Sequence, residues 1–198
     1  RDFVHQYIAQ QDLERGGATA SIPLRRAEHF ASLRQLSRSS TVSKQDDNKA
    51  IVGRWFDGFW GQRFDPNIIE LLAAPNMLLQ YSLHEPRRGR ADIKAFMTDF
   101  RSAFPDLHFW GVADLIAEGD YVVGRWEGGG AHTGPAFGDF LIGSLPAATG
   151  RKMHFTGTTV LRLKDGQIVE EIGLDDGVTA LQQLGLITAT AKPRDGDR

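Results

Sequence analysis

Two adjacent carboxylates, Asp175 and Asp176, stand in the stretch DGQIVEEIGLDDGVTALQQLGLI (165–187), between residues patterned as a strand and residues patterned as a helix. Side chains alternate along a strand, so Ile168, Glu170, Ile172 and Leu174 share one face; extending that parity puts Asp176 on it and Asp175 on the other. Three of those four companions are apolar, which predicts that Asp176 points to the core side. In an apolar cavity the charged form of a carboxylate is disfavoured, and its pKa climbs from about 3.9 toward the range useful for proton transfer. An aspartate directly before GVTALQQL is equally a preferred helix N-cap, a role worth about 1 kcal/mol. Either aspartate could serve as that cap.

Histidines offer a second set of proton carriers. His132, in GGGAHTG, follows a glycine run that lets backbone approach a ligand, and its imidazole there would polarise a carbonyl or shuttle a proton; the alternative is a turn histidine satisfied by backbone. His84, in SLHEP, stands at a strand end facing either cavity or solvent. His154 lies on an apolar strand, where a satisfied histidine is the commoner outcome. With Tyr81 as a polar donor, Trp110, Trp126, Phe137, His154 and Phe155 are the candidate lining of an apolar substrate pocket, and core packing is the competing use of the same aromatics. The histidines lack the i, i+4 spacing of a helical zinc pair and no H-E-x-x-H occurs, so no metal is expected. EGGGAHTGPAFG lacks the lysine of a P-loop and the strand, turn, helix order of a dinucleotide site. The cluster Arg87-Arg88-Gly89-Arg90 reads as a solvated turn.

The positioning elements come from a chain of 198 residues with a formal net charge of -2, 24% charged residues and no cysteine. That length suits one well-filled core, and the absence of cysteine removes disulfides, thiolate metal sites and cysteine nucleophiles. The charge gives no footprint for nucleic acid, and no apolar run is long enough to span a membrane, so neither is an expected partner. A cytoplasmic location is the default expectation; the chain opens on Arg1 without a signal-peptide pattern and reads as a fragment or processed form.

RDFVHQYIAQQDLERGG and LRRAEHFASLRQLSR predict two amphipathic helices, followed by a Ser-rich linker with a boundary near residue 45. DDNKAIVGRWFDGFWGQ predicts a helix with Ile51, Trp55, Phe56, Phe59 and Trp60 inward. FDPNIIELL predicts a second, with Asp65 as N-cap and Pro66 in its first turn, ending before Pro75. MLLQYSL is strand-like, and RADIKAFMTDFRSAFPD predicts a third helix with Ile93, Phe96, Met97 and Phe100 inward. An antiparallel meander follows, with hairpin turns at Glu118-Gly119-Asp120 and Lys164-Asp165-Gly166, and then a short helix through VTALQQLG. Helices segregated from a largely antiparallel sheet define an α+β fold with the helices on one face.

YSLHEPRRG before a helix ending AFPDLHF, then AHTGPAFG, then the Thr149-Gly150-Arg151 turn, then LRLKDGQIVEEIGLDD with the ending QQLG occur in this order. Through these stretches the chain, from about Asn48 to Ile187, resembles the SnoaL-like polyketide cyclases of the nuclear-transport-factor-2-like superfamily. The resemblance implies a cone-shaped domain over residues 46–190: three helices packed on a strongly curved, mostly antiparallel sheet enclosing an apolar pocket. Residues 1–45 would be an extra N-terminal helical arm and 191–198 a C-terminal tail. It further implies a homodimer, no cofactor, and an acidic residue in the pocket acting as general acid/base in an intramolecular aldol ring closure. By position after the DG-x-I-V-E strand, that residue is Asp176. Two features depart from the family pattern: Glu171-Ile172 replace a usual His-Trp pair, and DFLIGSLPAA lengthens one connection.

The expected function is therefore that of a cofactor-independent enzyme on a small or medium apolar carbonyl or ester compound. Asp176 would transfer the proton, with His132 and His84 orienting the carbonyl. The alternatives are a hydrolase or hydratase in the same pocket, and a non-catalytic ligand-binding module in which Asp176 only caps its helix.

Overall fold

The computed structural model describes residues 43–188. The two helices expected before residue 45 and the tail from 191 lie outside the described residues.

Helix α1 (Lys44–Trp55) opens with Asp46 and Asp47 in its first turn, where the helix dipole favours acidic side chains, and buries Val52 and Trp55. The single helix expected here changes character at residue 56. Phe56–Trp60 forms a π turn, closed by a hydrogen bond of 2.7 Å from the Gly61 N–H to the Phe56 carbonyl. In an α-helix, residues five apart diverge by about 140°. The wider i→i+5 turn brings them back onto one side, which aligns Trp55 with Trp60.

Helix α2 (Asn67–Leu72) starts as expected after Asp65, whose carboxylate accepts from the Asn67 N–H at 2.9 Å. Strand β1 (Ala73–Gln80) follows without a loop and begins earlier than the MLLQYSL pattern suggests. Pro75 lies in the irregular stretch between Ala73 and Leu78, where pairing with β7 shifts register, so its missing N–H falls outside the regular ladder. After the short β2 (Arg87–Arg88), α3 (Arg90–Ala103) buries Ile93, Phe96, Met97 and Phe100, as its spacing predicts. Arg101 ties α3 to the π turn: its guanidinium donates to the carbonyls of Phe59 (2.9 Å), Gly61 (2.7 Å) and Leu107 (3.1 Å).

The remaining strands are β3 (His108–Gly111), β4 (Ile116–Glu118), β5 (Tyr121–Ala131), β6 (Lys152–Lys164) and β7 (Gln167–Asp175), before helix α4 (Gly177–Gln183). The curved, unclosed sheet has the order β2-β1-β7-β6-β5-β3, with β4 also on β5, and every pairing is antiparallel except β1 with β7. Asp165 and Gly166 turn the β6–β7 hairpin with φ of 51° and 75°, the doubly left-handed geometry that an Asp-Gly pair favours.

One irregularity matters for function. Leu163 pairs with Ile168, but Arg162 pairs with Glu170, so Val169 is an extra residue in β7. Such a bulge inverts which side chains face inward beyond it. Ile168 is buried before the bulge; Glu171 is buried after it, while Leu174 is 76% exposed. The core lies between the helices and this inner sheet face, with Trp55, Phe59, Ile69, Phe96 and Phe100 packed in one cluster with Val122, Leu161 and Ile168. Among the described residues, no helix is long and apolar enough to cross a membrane.

Candidate active site

Cross-strand register builds the floor of a cavity on the inner sheet face. Trp126 of β5, Gly157 of β6 and Asp175 of β7 lie directly opposite one another in one row. Gly124, Thr159 and Gly173 form the next, and Val122, Leu161 and Glu171 the third. Glycines make the first two rows concave. A Cβ at Gly157 would lie 2.2 Å from the Trp126 ring, and one at Gly173 would lie 2.0 Å from the Tyr81 ring, so these glycines let the two aromatics lie against the strands. The resulting cavity is partly open to solvent and is walled chiefly by Trp60, Tyr81, Phe109, Trp126 and Phe155, with His84 and Asp175 as polar groups.

Glu171 sits behind that wall with no exposed surface. Its Oε2 accepts from Trp55 Nε1 at 2.6 Å; its Oε1 accepts from Trp60 Nε1 at 2.8 Å and from the Tyr81 hydroxyl at 2.6 Å. The tyrosine oxygen is also 2.9 Å from Thr159 Oγ1, which accepts from Trp126 Nε1 at 2.8 Å. Burial drives the Glu171 carboxyl up to about 7, against the three hydrogen bonds that favour its anion. Burial and the neighbouring Glu171 carboxylate together raise the Tyr81 phenol well above its ordinary value. The sequence pattern marks Glu171 only as a departure from the expected histidine. The signal that would find it is the five-residue spacing of Trp55 and Trp60, which serves one acceptor only if a π turn intervenes.

Asp175 reaches the cavity edge, where burial raises its pKa while the Ser82 hydroxyl and backbone, and the Gly177 backbone, pull it down. Asp176 is exposed and caps α4, accepting from the Thr179 N–H at 3.2 Å and the Thr179 hydroxyl at 2.6 Å. The parity expected from Ile168 thus fails for both aspartates, because it counts through the Val169 bulge. Capping and cavity access are divided between the pair, in the order opposite to expectation.

His84 lies in the cavity wall among the rings of Phe96, Phe100, Phe137 and Phe140. Its Nδ1 is 3.1 Å from the Asp139 carbonyl oxygen and 3.2 Å from Asp139 Oδ2. Burial acts to raise the Asp139 carboxyl, but the adjacent His84 and the paired Arg87 outweigh it and hold it below the usual range.

His132 does not reach the cavity. It is fully buried, with Nδ1 2.9 Å from Thr149 Oγ1 and Nε2 donating to the Pro135 carbonyl at 2.8 Å, so its ring locks the loop after β5 to the turn before β6. Both ring nitrogens are consumed by local structure. Trp110 and His154 are exposed and lie with ring centres 5.7 Å apart on the outer sheet face. Phe137 packs behind His84 rather than in the cavity wall. Of the expected lining, Tyr81, Trp126 and Phe155 are in place; Phe56, Trp60 and Phe100 join them from helix faces read as core, and Leu83 and Phe109 from stretches read as strands.

The arrangement therefore presents a carboxylate with a raised pKa and a histidine to one apolar space, which suits proton transfer at a carbon beside a carbonyl. Comparison with solved structures gives the same architecture. A protein from Jannaschia sp. CCS1, proposed to be a SnoaL-like polyketide cyclase, superposes with a TM-score of 0.60 at 23% identity over 73% of this chain and 95% of its own. AclR from Streptomyces galilaeus, proposed to be a hydroxylase, gives 0.58 at 23% identity over 75% of this chain and 91% of its own. A protein of ketosteroid isomerase-like fold from Catenulispora acidiphila gives 0.54 at 18% identity over 72% of this chain and 97% of its own. No curated protein matches the chain. The profile of the SnoaL-like polyketide cyclases does match, over residues 50–184, more than half of the sequence. With its NTF2-like cone of helices on a curved sheet, the chain belongs to the SnoaL-like polyketide cyclase family.

Proposed function

We propose that this protein is a cofactor-independent, cyclase-type enzyme in which Asp175, not Asp176, is the general acid/base. Family membership supports a cyclase-type activity in the generic sense. The observation that carries the finer reading is that, among the described residues, Asp175 is the one carboxylate in the wall of the aromatic cavity. In this reading the Asp175 anion takes a proton from a carbon beside a substrate carbonyl. The enolate carbon then bonds to a second carbonyl carbon of the same molecule, and the resulting alkoxide recovers the proton from Asp175. His84 directs its Nδ1–H at Asp139, and in the doubly protonated ring the Nε2–H donates to the enolate oxygen. Turnover of a panel of linear di- and tricarbonyl esters, followed by mass and NMR of the products, tests this reading. Cyclised product from the parent protein, lost in Asp175→Asn, is the expected result; hydrated or hydrolysed product would move the chemistry to water activation, and no turnover of any ester would count against an enzyme.

The family resemblance also carries a proposal of homodimerisation. The outer sheet face supports it: Ile116, Val123, Val160 and Ile172 lie in one cross-strand row, with Ile116 70% exposed.

A further inference from the structure

Three of the rings around the cavity belong to one chain of hydrogen bonds that ends on a single buried carboxylate. Trp126 donates to Thr159, Thr159 meets the Tyr81 hydroxyl, and Tyr81 and Trp60 donate to Glu171. An N–H or O–H that donates to a carboxylate returns electron density to its ring, which deepens the negative face that aromatic quadrupoles already present. The walls meet nearly at right angles. Trp60 with Phe109, Phe109 with Trp126 and Trp126 with Phe155 have ring centres 5.6, 5.3 and 5.6 Å apart and interplanar angles of 88°, 84° and 82°. Asp175 adds its own carboxylate at the wall, and among the described residues Leu83 is the single aliphatic one in the lining. Among the described residues no lysine or arginine lines the space; Arg87, behind His84, is paired with Asp139.

We propose that this cavity accepts substrates carrying a compact organic cation, an alkylated or quaternary ammonium group, held against the aromatic wall that includes Trp60, Tyr81 and Trp126, with Asp175 and Glu171 as its counter-charges. The proposal names the substrate class for the acid/base site described above and rests on that cavity being the substrate site. A cation in the box favours ionised Glu171, whose carboxyl otherwise titrates at about 7. Binding at pH 6 therefore releases a proton, and binding at pH 8 does not. The other titratable groups facing the cavity are Tyr81, His84 and Asp175, with Asp139 and Arg87 behind His84. The Glu171 contribution is isolated from theirs by substitution.

Calorimetry on the full chain with choline and with its neutral carbon isostere, 3,3-dimethyl-1-butanol, tests the proposal by equilibrium binding alone. Choline is expected to bind at least about tenfold more tightly than the isostere. Its enthalpy at pH 6 should vary with the ionisation enthalpy of the buffer, and that variation should shrink in Glu171→Gln. Equal or tighter binding of the isostere, or binding of neither, would overturn it. Because no turnover is required, failure of Asp175 as the acid/base leaves this result readable, and failure here leaves Asp175 open to neutral substrates.

Discussion

Glu171 is where burial and hydrogen bonding oppose each other most directly. Three donors hold its anion, yet burial leaves its carboxyl titrating at about 7 against an ordinary value of 4.5. A raised carboxyl means that the folded state binds more protons than the unfolded one, so this residue's contribution is fully present below about pH 4.5 and is lost as pH rises through 7. The shift corresponds to roughly 3 kcal/mol. Urea denaturation at pH 5 and pH 8 should show the parent protein losing stability over this range, and Glu171→Gln should lose distinctly less; equal pH dependence in the two would refute the burial argument. The sequence pattern presents Asp175 and Asp176 as a pair that can be divided between capping and chemistry; the structure gives the cap to Asp176 and the cavity edge to Asp175. Nothing in QIVEE announces that Val169 is a bulge, because both registers keep apolar residues on each face. His132 illustrates the same limit: a buried histidine satisfied by a hydroxyl and a carbonyl has the same local sequence as one aimed at a substrate.

At the scale of elements, hydrophobic spacing and turn chemistry made α1 to α3, the hairpin at Asp165-Gly166 and the short α4 legible. The π turn was not, since FDGFW also fits a regular amphipathic helix. Its effect is specific: it puts two indole N–H groups on one carboxylate, while Arg101 holds its carbonyl end. Close backbone approach was equally hidden, because a glycine in a strand shows what it permits only when the neighbouring ring is in place. Two substitutions separate the uses of glycine. A Cβ at Gly173 meets the Tyr81 ring at 2.0 Å, whereas one at Gly53, inside α1, meets nothing within 4 Å. Gly173→Ala should destabilise by roughly 1–3 kcal/mol and displace Tyr81. Gly53→Ala should stabilise by roughly 0.5–1 kcal/mol through helix propensity alone. Thermal melts of both variants, with near-ultraviolet circular dichroism reporting the tyrosine environment, check the pair.

On the scale of the whole molecule, the inner sheet face carries the cavity and the outer face carries apolar residues in register. If the outer row of Ile116, Val123, Val160 and Ile172 is the surface that joins two copies, Val160→Asp should shift sedimentation from dimer to monomer while leaving the fold intact. A monomeric parent protein would remove that proposal. The fold was readable because its segregation of helices from a meander, and the order of its motifs, survive local irregularity. The site was readable only in part, because a single inserted residue in β7 decides which carboxylates face inward. That decision is tested most directly by exchange of the acidic C–H of methyl acetoacetate in D2O, followed by NMR. The parent protein and Asp176→Asn, in which asparagine still caps α4, should accelerate exchange alike, and Asp175→Asn should lose at least about a hundredfold of that acceleration. Undiminished exchange in Asp175→Asn, or a loss confined to Asp176→Asn, would contradict the account.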